Sequence, residues 1–171
     1  KRNFDHDGNS LYDAYASIWA SDALEYSGGD VTYSSSYNYF ANKMAARFAT
    51  IIGEDPIPYR HEAHRIKQAM DSLLWMPRRG WYTEYRDRLG LQKLHPSAGL
   101  WSVYHAIDKE VAGPFKTYQL LRYVDIKIPH IPVRTERLDS TYYMLPTTHW
   151  KPYTWSVNNV AFAEVVHTAL A

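Results

Sequence analysis

The side chains with the means for chemistry in this chain are carboxylates set among aromatic rings. Asp22 follows Trp19-Ala20-Ser21 and precedes Gly28-Gly29, so it combines an aromatic wall with flexible backbone. Glu25, followed by Tyr26, and Asp7 rank behind it. A carboxyl group whose surroundings move its pKa toward the working pH can give or take a proton. The alternative is structural: Ser21 and Asp22 would then cap or solvate a helix end. Glu84 lies in Trp81-Tyr82-Thr83-Glu84-Tyr85. On a strand it would share a face with Tyr82, opposite Trp81, Thr83 and Tyr85, and a structural role is expected for it. Asp5-His6-Asp7-Gly8-Asn9 has the composition of a calcium loop, but its Gly is misplaced and no distal Glu follows at the required spacing. A plain turn or a sugar contact is the expectation there. His95, His105, His130, His149 and His167 are scattered, and His61 and His64 have no clear third ligand, so no metal site is expected. The chain has no cysteine, which excludes disulfides, thiolate metal sites and a cysteine nucleophile. It contains no G-x-S-x-G, P-loop or dinucleotide fingerprint, and no cofactor is expected.

The frame for these residues is written in periodicity. Tyr37, Phe40, Ala41, Met44, Phe48, Ile51 and Ile52 recur at helical spacing on one face. Gly53 stops that helix, because glycine takes a left-handed cap without steric cost. Pro56 and Pro58 bar helix until about Tyr59. A second helix then buries Ala63, Ile66, Met70, Leu73 and Leu74. Upstream, Ser10 suits an N-cap, with Asp13 in the capping-box position and Tyr12, Tyr15, Ile18 and Trp19 as an apolar stripe. That predicts a helix from Leu11, broken by a flexible loop at Ser27-Gly28-Gly29-Asp30. Residues 80–94 read as two short strands joined near Arg88-Leu89-Gly90, and helices are expected over 98–109 and 112–125. Residues 126–153 carry Pro129, Pro132, Pro146 and Pro152 and read as a long irregular loop. The last helix, 154–171, is apolar on nearly every side through Val157, Val160, Phe162, Val165, Val166 and Leu170, which predicts burial among other helices. It stops without Gly, Pro or a basic final turn, so the chain reads as cut in mid-element.

Composition narrows the classes. A length of 171 residues suits one domain, and 46% apolar residues allow a substantial core. A net charge of +1 without a basic block gives no reason to expect nucleic acid. No apolar run approaches the roughly 20 residues that span a bilayer. Lys1 is not a natural initiator, so a missing signal peptide says little about compartment. A periplasmic or secreted setting is preferred slightly over a cytoplasmic one. Tyr and Trp are abundant, which suits stacking on sugar rings and ordinary cores alike.

The helical hairpin followed by an aromatic strand resembles the repeating unit of the (α/α)6-toroid glycosidases. The nearest likeness is to processing α-glucosidases, trehalases and glycogen-debranching-type enzymes. Ile52-Gly53 matches their "L-G" turn, Leu74-Trp75 their "L-W", and Gly80-Trp81-Tyr82-Thr83-Glu84-Tyr85 their "G-x-Y-x-[DE]-Y". Met76-Pro77-Arg78-Arg79 stands where the family usually carries acidic residues, which marks a divergent relative. Trp150-Lys151-Pro152-Tyr153-Thr154-Trp155-Ser156-Val157-Asn158-Asn159 resembles "W-R-G-P-V-W-x-x-x-N", which opens an inner helix at the sugar-binding face. Ser97-Ala98-Gly99-Leu100 resembles the opening of another inner helix.

The resemblance implies an all-α fold, with about half of a toroid in residues 1–171 as one partial domain cut at both ends. It implies cofactor-free acid/base hydrolysis of an α-linked glucan or related oligosaccharide. The general acid would lie upstream of the hairpin: Asp22 first, then Glu25, then Asp7. The general base would lie beyond Ala171, with Glu136 and Asp139 in reserve. Trp19, Tyr26, His149, Trp150, Trp155 and Asn158 would contact sugar. The partners implied are a glycan and the remainder of the toroid. Two other classes compete: a carbohydrate-binding or scaffold protein that keeps the toroid without catalysis, and a helical repeat used for protein contacts.

Overall fold

The computed structural model describes residues 4–16, 25–134, 136–137, 142–147 and 162–171. Among them are five α-helices and seven short strands. Strands β1 (Asp13–Ala16) and β2 (Glu25–Val31) come first. Helices α1 (Thr32–Ile52) and α2 (Ile57–Ala69) follow as a hairpin. Then come β3 (Trp75–Met76), β4 (Trp81–Tyr82), β5 (Tyr85–Arg86), α3 (Leu100–Asp108) and α4 (Pro114–Lys127). Strands β6 (Ile131–Pro132) and β7 (Tyr143–Met144) precede α5 (Phe162–Leu170). The fold is therefore helical with three small sheets rather than purely all-α.

The described residues at both ends of the expected first helix are strand instead. β1 and β2 occupy its two ends and pair antiparallel, with Asp13 opposite Asp30 and Ala14 opposite Gly29. β2 also pairs with β5, Asp30 facing Arg86 and Val31 facing Tyr85. The stretch read as a flexible loop, Ser27-Gly28-Gly29-Asp30, is thus strand. Gly29 is there for room: a Cβ on it would lie 1.8 Å from the Arg86 carbonyl oxygen. Tertiary pairing outweighs the helical spacing of the tyrosines.

β2 runs into α1 with no linker. α1 ends where predicted, with Gly53 at φ 80° and the Glu54 N–H closing on the Ala49 carbonyl at 2.8 Å. The face it buries is not the apolar one. Thr32, Tyr33, Ser35, Ser36, Ala46 and Ala49 are inside, whereas Tyr37, Phe48, Ile51 and Ile52 are exposed. Small residues let the neighbouring helices approach closely, and α1 packs on both α2 and α3. α2 buries Ala63, Ile66 and Met70 as predicted. It ends in a π turn, Met70–Leu74, where the Trp75 N–H reaches back to Met70. β3 and β4 then pair Trp75 with Tyr82. The Tyr82 hydroxyl donates to Asp71 at 2.6 Å, and Lys116 of α4 joins the same carboxylate at 2.6 Å.

α3 is almost wholly buried, and it packs on α1, α4 and α5. α5 departs from expectation. It buries Glu164 and Thr168 and exposes Phe162, Val166 and Leu170. Its partner surface on α3 presents Tyr104 and His105, so its polar side turns inward.

Candidate functional site

The amino ends of α1 and α3 meet at one strand segment. The Thr32 N–H donates to the Glu84 carbonyl at 3.1 Å, and the Thr32 hydroxyl to the Thr83 carbonyl at 2.5 Å. The Glu84 carboxylate, fully buried, takes the Gly99 N–H at 2.9 Å, the Ser102 hydroxyl at 2.7 Å and the Trp101 indole N–H. A carboxylate at a helix amino end also meets the favourable end of the helix dipole. Glu84 thereby fixes where α3 starts. Gly99 has no room for a side chain beneath the Trp101 ring, which a Cβ would meet at 2.5 Å. Thr83 and Trp81 tie the incoming segment by bonds to the His95 and Pro96 carbonyls.

Beside this junction lies a network of acids. Asp30, the next-to-last residue of β2, is buried. Its Oδ2 accepts Asn9 Nδ2 at 3.0 Å and Arg86 Nη1 at 3.1 Å. Burial raises its pKa, the Asn9 and Arg86 bonds oppose that rise, and the charge of Asp7 adds to it. Asn9 is the hub. It donates to Asp7 as well as Asp30, and its own Oδ1 accepts the Leu11 N–H at 2.7 Å. Asp13 completes the group, holding His6 Nδ1 at 2.6 Å with Arg88 at 3.6 Å.

A second polar group lies between α1, α3 and α5. His105 is buried, packed among Tyr33, Tyr37, Tyr104 and His167, and neither ring nitrogen has a hydrogen-bond partner among the described residues. Burial first, then Lys109 and His167, lower its pKa to about 3, so it is neutral. Glu164 bonds to Tyr104, yet its Oε2 has no partner among the described residues. Burial raises its pKa to about 7, and the charge of Glu84 adds to the rise. A carboxyl poised there can act as acid or base near neutrality.

Asp7 is thus the one predicted acid whose side chain is seen, and it sits in the Asp30 network. Glu25 and Tyr26 lie at the opposite end of β2 from Asp30, with Glu25 opposite Ala16. Asp22, Trp19, His149, Trp150, Trp155, Asn158 and Asp139 lie outside the described residues. Glu136 is exposed on a turn. Sequence reasoning missed Asp30, Arg86, His105 and Glu164. Only the strand register brings Asp30 to Arg86, 56 positions away. Glu164 did carry a signal, as a lone carboxylate in an otherwise apolar helix. Among the described residues no group of three His, Asp or Glu is arranged to hold a metal ion, and no helix is long and apolar enough to cross a membrane.

No family model and no curated protein matches the chain. A solved structure does: a rhamnosidase from Klebsiella oxytoca with rhamnose bound. The TM-score is 0.52 at 16% identity, over 72% of this chain and 23% of that one. The likeness is one of fold. It accords with a partial helical glycosidase architecture, and the chain spans about a quarter of that rhamnosidase's length.

Proposed function

We propose that the chain forms part of a glycoside hydrolase whose site lies where α1 and α3 begin. The observation that carries this reading is the fold likeness to the rhamnosidase, over 72% of the chain. The succession α1–α3–α5, with α2 and α4 packed behind α1 and α3, supports consecutive hairpins of an (α/α)6 toroid. Hydrolysis would use two carboxyls, one protonating the glycosidic oxygen and one activating water, spaced about 6.5–9.5 Å apart in an inverting enzyme. Asp22 is the proposed acid, with Glu25 next. Asp7 is held by Asn9 and acts instead through its charge on Asp30. Trp19, Tyr26, His149, Trp150, Trp155 and Asn158 are the proposed sugar contacts. The proposed substrate is an α-linked oligosaccharide, a glucan by the motif resemblance and a rhamnoside by the neighbour's bound sugar.

One observation favours a second reading, carbohydrate binding without turnover. The carboxylates of Asp7, Asp30 and Glu84 are all engaged by protein donors. Incubating the full-length protein and its Asp22→Asn variant with α- and β-linked oligosaccharides, including rhamnosides, separates the two. Cleavage lost in the variant supports hydrolysis with Asp22 as acid. Cleavage that survives moves the acid to Glu25. Binding without cleavage supports the second reading, and neither binding nor cleavage overturns both.

A further inference from the structure

One groove lies apart from both polar groups. It lies along the seam of α1 and α2, has a volume of about 680 Å³, and is floored by Ala46 and Ala63. Its walls carry Lys43 and Arg47 from α1 and Arg60, His64 and Lys67 from α2, with Tyr39 at the side. None of its lining residues is acidic.

The cations are not equivalent. Lys43 is drawn outward to Glu110, an exposed partner whose pull is weak in water. Lys67 donates to the Val111 carbonyl and lies 4.0 Å from Asp71. Burial, together with the charges of Lys116 and Lys43, lowers its pKa, with Asp71 opposing. The groove thus holds more positive charge than the neighbouring carboxylates of Glu110 and Asp71 offset. Arg47 and Arg60 face it from opposite helices, both exposed, and neither has a carboxylate partner among the described residues.

We propose that this groove binds an oxyanion, a phosphate or the carboxylate or sulfate of an acidic sugar, with Arg47 and Arg60 as the clamp. Guanidinium forks present paired N–H donors that match such oxygens in pairs. Lys43 adds charge from about one turn away on α1, and Lys67 from about two turns away on α2. A groove of this volume admits a sugar ring, and Tyr39 offers it a flat apolar face. The proposal goes beyond the hydrolase reading and does not rest on it, since none of the lining residues belongs to either polar group at the helix ends.

Titration calorimetry on the full-length protein tests it. The probes are inorganic phosphate, a uronate trisaccharide and a neutral trisaccharide of the same size. One anion should saturate a single site, the neutral sugar should not bind there, and Arg47→Gln with Arg60→Gln should weaken binding about tenfold or more. Phosphate binding alone assigns the groove to phosphate or a phosphoryl group. Uronate binding as tight or tighter assigns it to an acidic glycan. Arg47→Lys and Arg60→Lys, which keep charge and fold but lose the fork, should weaken binding by a smaller factor. No saturable binding of either anion overturns the proposal. So does equal affinity in the Gln variants, or equal binding of the neutral sugar.

Discussion

Glu84 and Glu164 both press a carboxyl group against α3, Glu84 at the helix's amino end and Glu164 from α5. Glu84 is met by an amide, a hydroxyl and an indole N–H. Glu164 is met by Tyr104 and, among the described residues, leaves one oxygen unpaired. Both are buried, so burial does not tell their roles apart. The inventory of partners does. A satisfied carboxylate fixes structure, and an under-satisfied one keeps its proton and remains available for chemistry.

The contrast can be broken most forcefully at Glu84. Glu84→Ala leaves three buried donors without an acceptor and should cost roughly 3–5 kcal/mol. Chemical denaturation of the full-length protein should show the fall in midpoint; a loss under about 1 kcal/mol would strip Glu84 of its structural role.

Glu164 makes the opposite prediction, in pH. Its folded pKa of about 7 stands above the ordinary 4.5, so the folded state holds the proton more tightly. Its contribution is fully present below pH 4.5 and is lost as pH rises through about 7. The loss should amount to about 3 kcal/mol at most. Glu164→Gln should flatten that slope and raise stability at pH 8 relative to wild type. An unchanged slope in stability measured from pH 4 to 8 would make the two glutamates alike.

Ser102→Ala removes one donor from Glu84 and should cost about 2 kcal/mol. The same denaturation series reads it, and additivity with Glu84→Ala should fail because the two share one bond. The smallest effect belongs to His105→Phe. Replacing a buried imidazole that has no partner among the described residues by a ring of similar shape should change stability by under about 1 kcal/mol, toward greater stability. A thermal melt that falls sharply would mean that His105 has a partner of consequence.

Much of this frame was legible in the sequence, and the unreadable parts share a cause. Gly53 and the Ile66–Met70–Leu74 stripe marked the end of α1 and the body of α2 because caps and periodicity are local signals. The same holds for α3 and α4, near their predicted bounds. α2, however, starts at Ile57, ahead of the expected Tyr59, since Pro58 fits the first helical turn. β1 and β2 escaped because tyrosines at helical spacing say nothing of strand partners, and Asp30 gains meaning only opposite Arg86. The buried face of α1 escaped for another reason. A helix flanked by two others is chosen for closeness, so serines and alanines went inside while Phe48, Ile51 and Ile52 stayed out. α5 inverted its expected polarity because its neighbour on α3 is polar. In the candidate site, Asp7 was named from its type alone, whereas its place beside Asp30, and the surroundings of Asp30 and Glu164, needed tertiary structure to be seen.

The π turn at Met70–Leu74 sets the direction in which the chain leaves α2. A helix advances about 100° per residue, so the wide turn delays the chain before Trp75 leaves the helix. Trp75 thereby comes out facing Tyr82, whose hydroxyl is tied back to Asp71 within that same turn. Deleting one residue there would restore a regular helix and swing the exit by about a quarter of a revolution. The hairpin would survive while the aromatic strand after it lost its mate, so the length of this turn, more than its composition, sets the pairing of Trp75 with Tyr82.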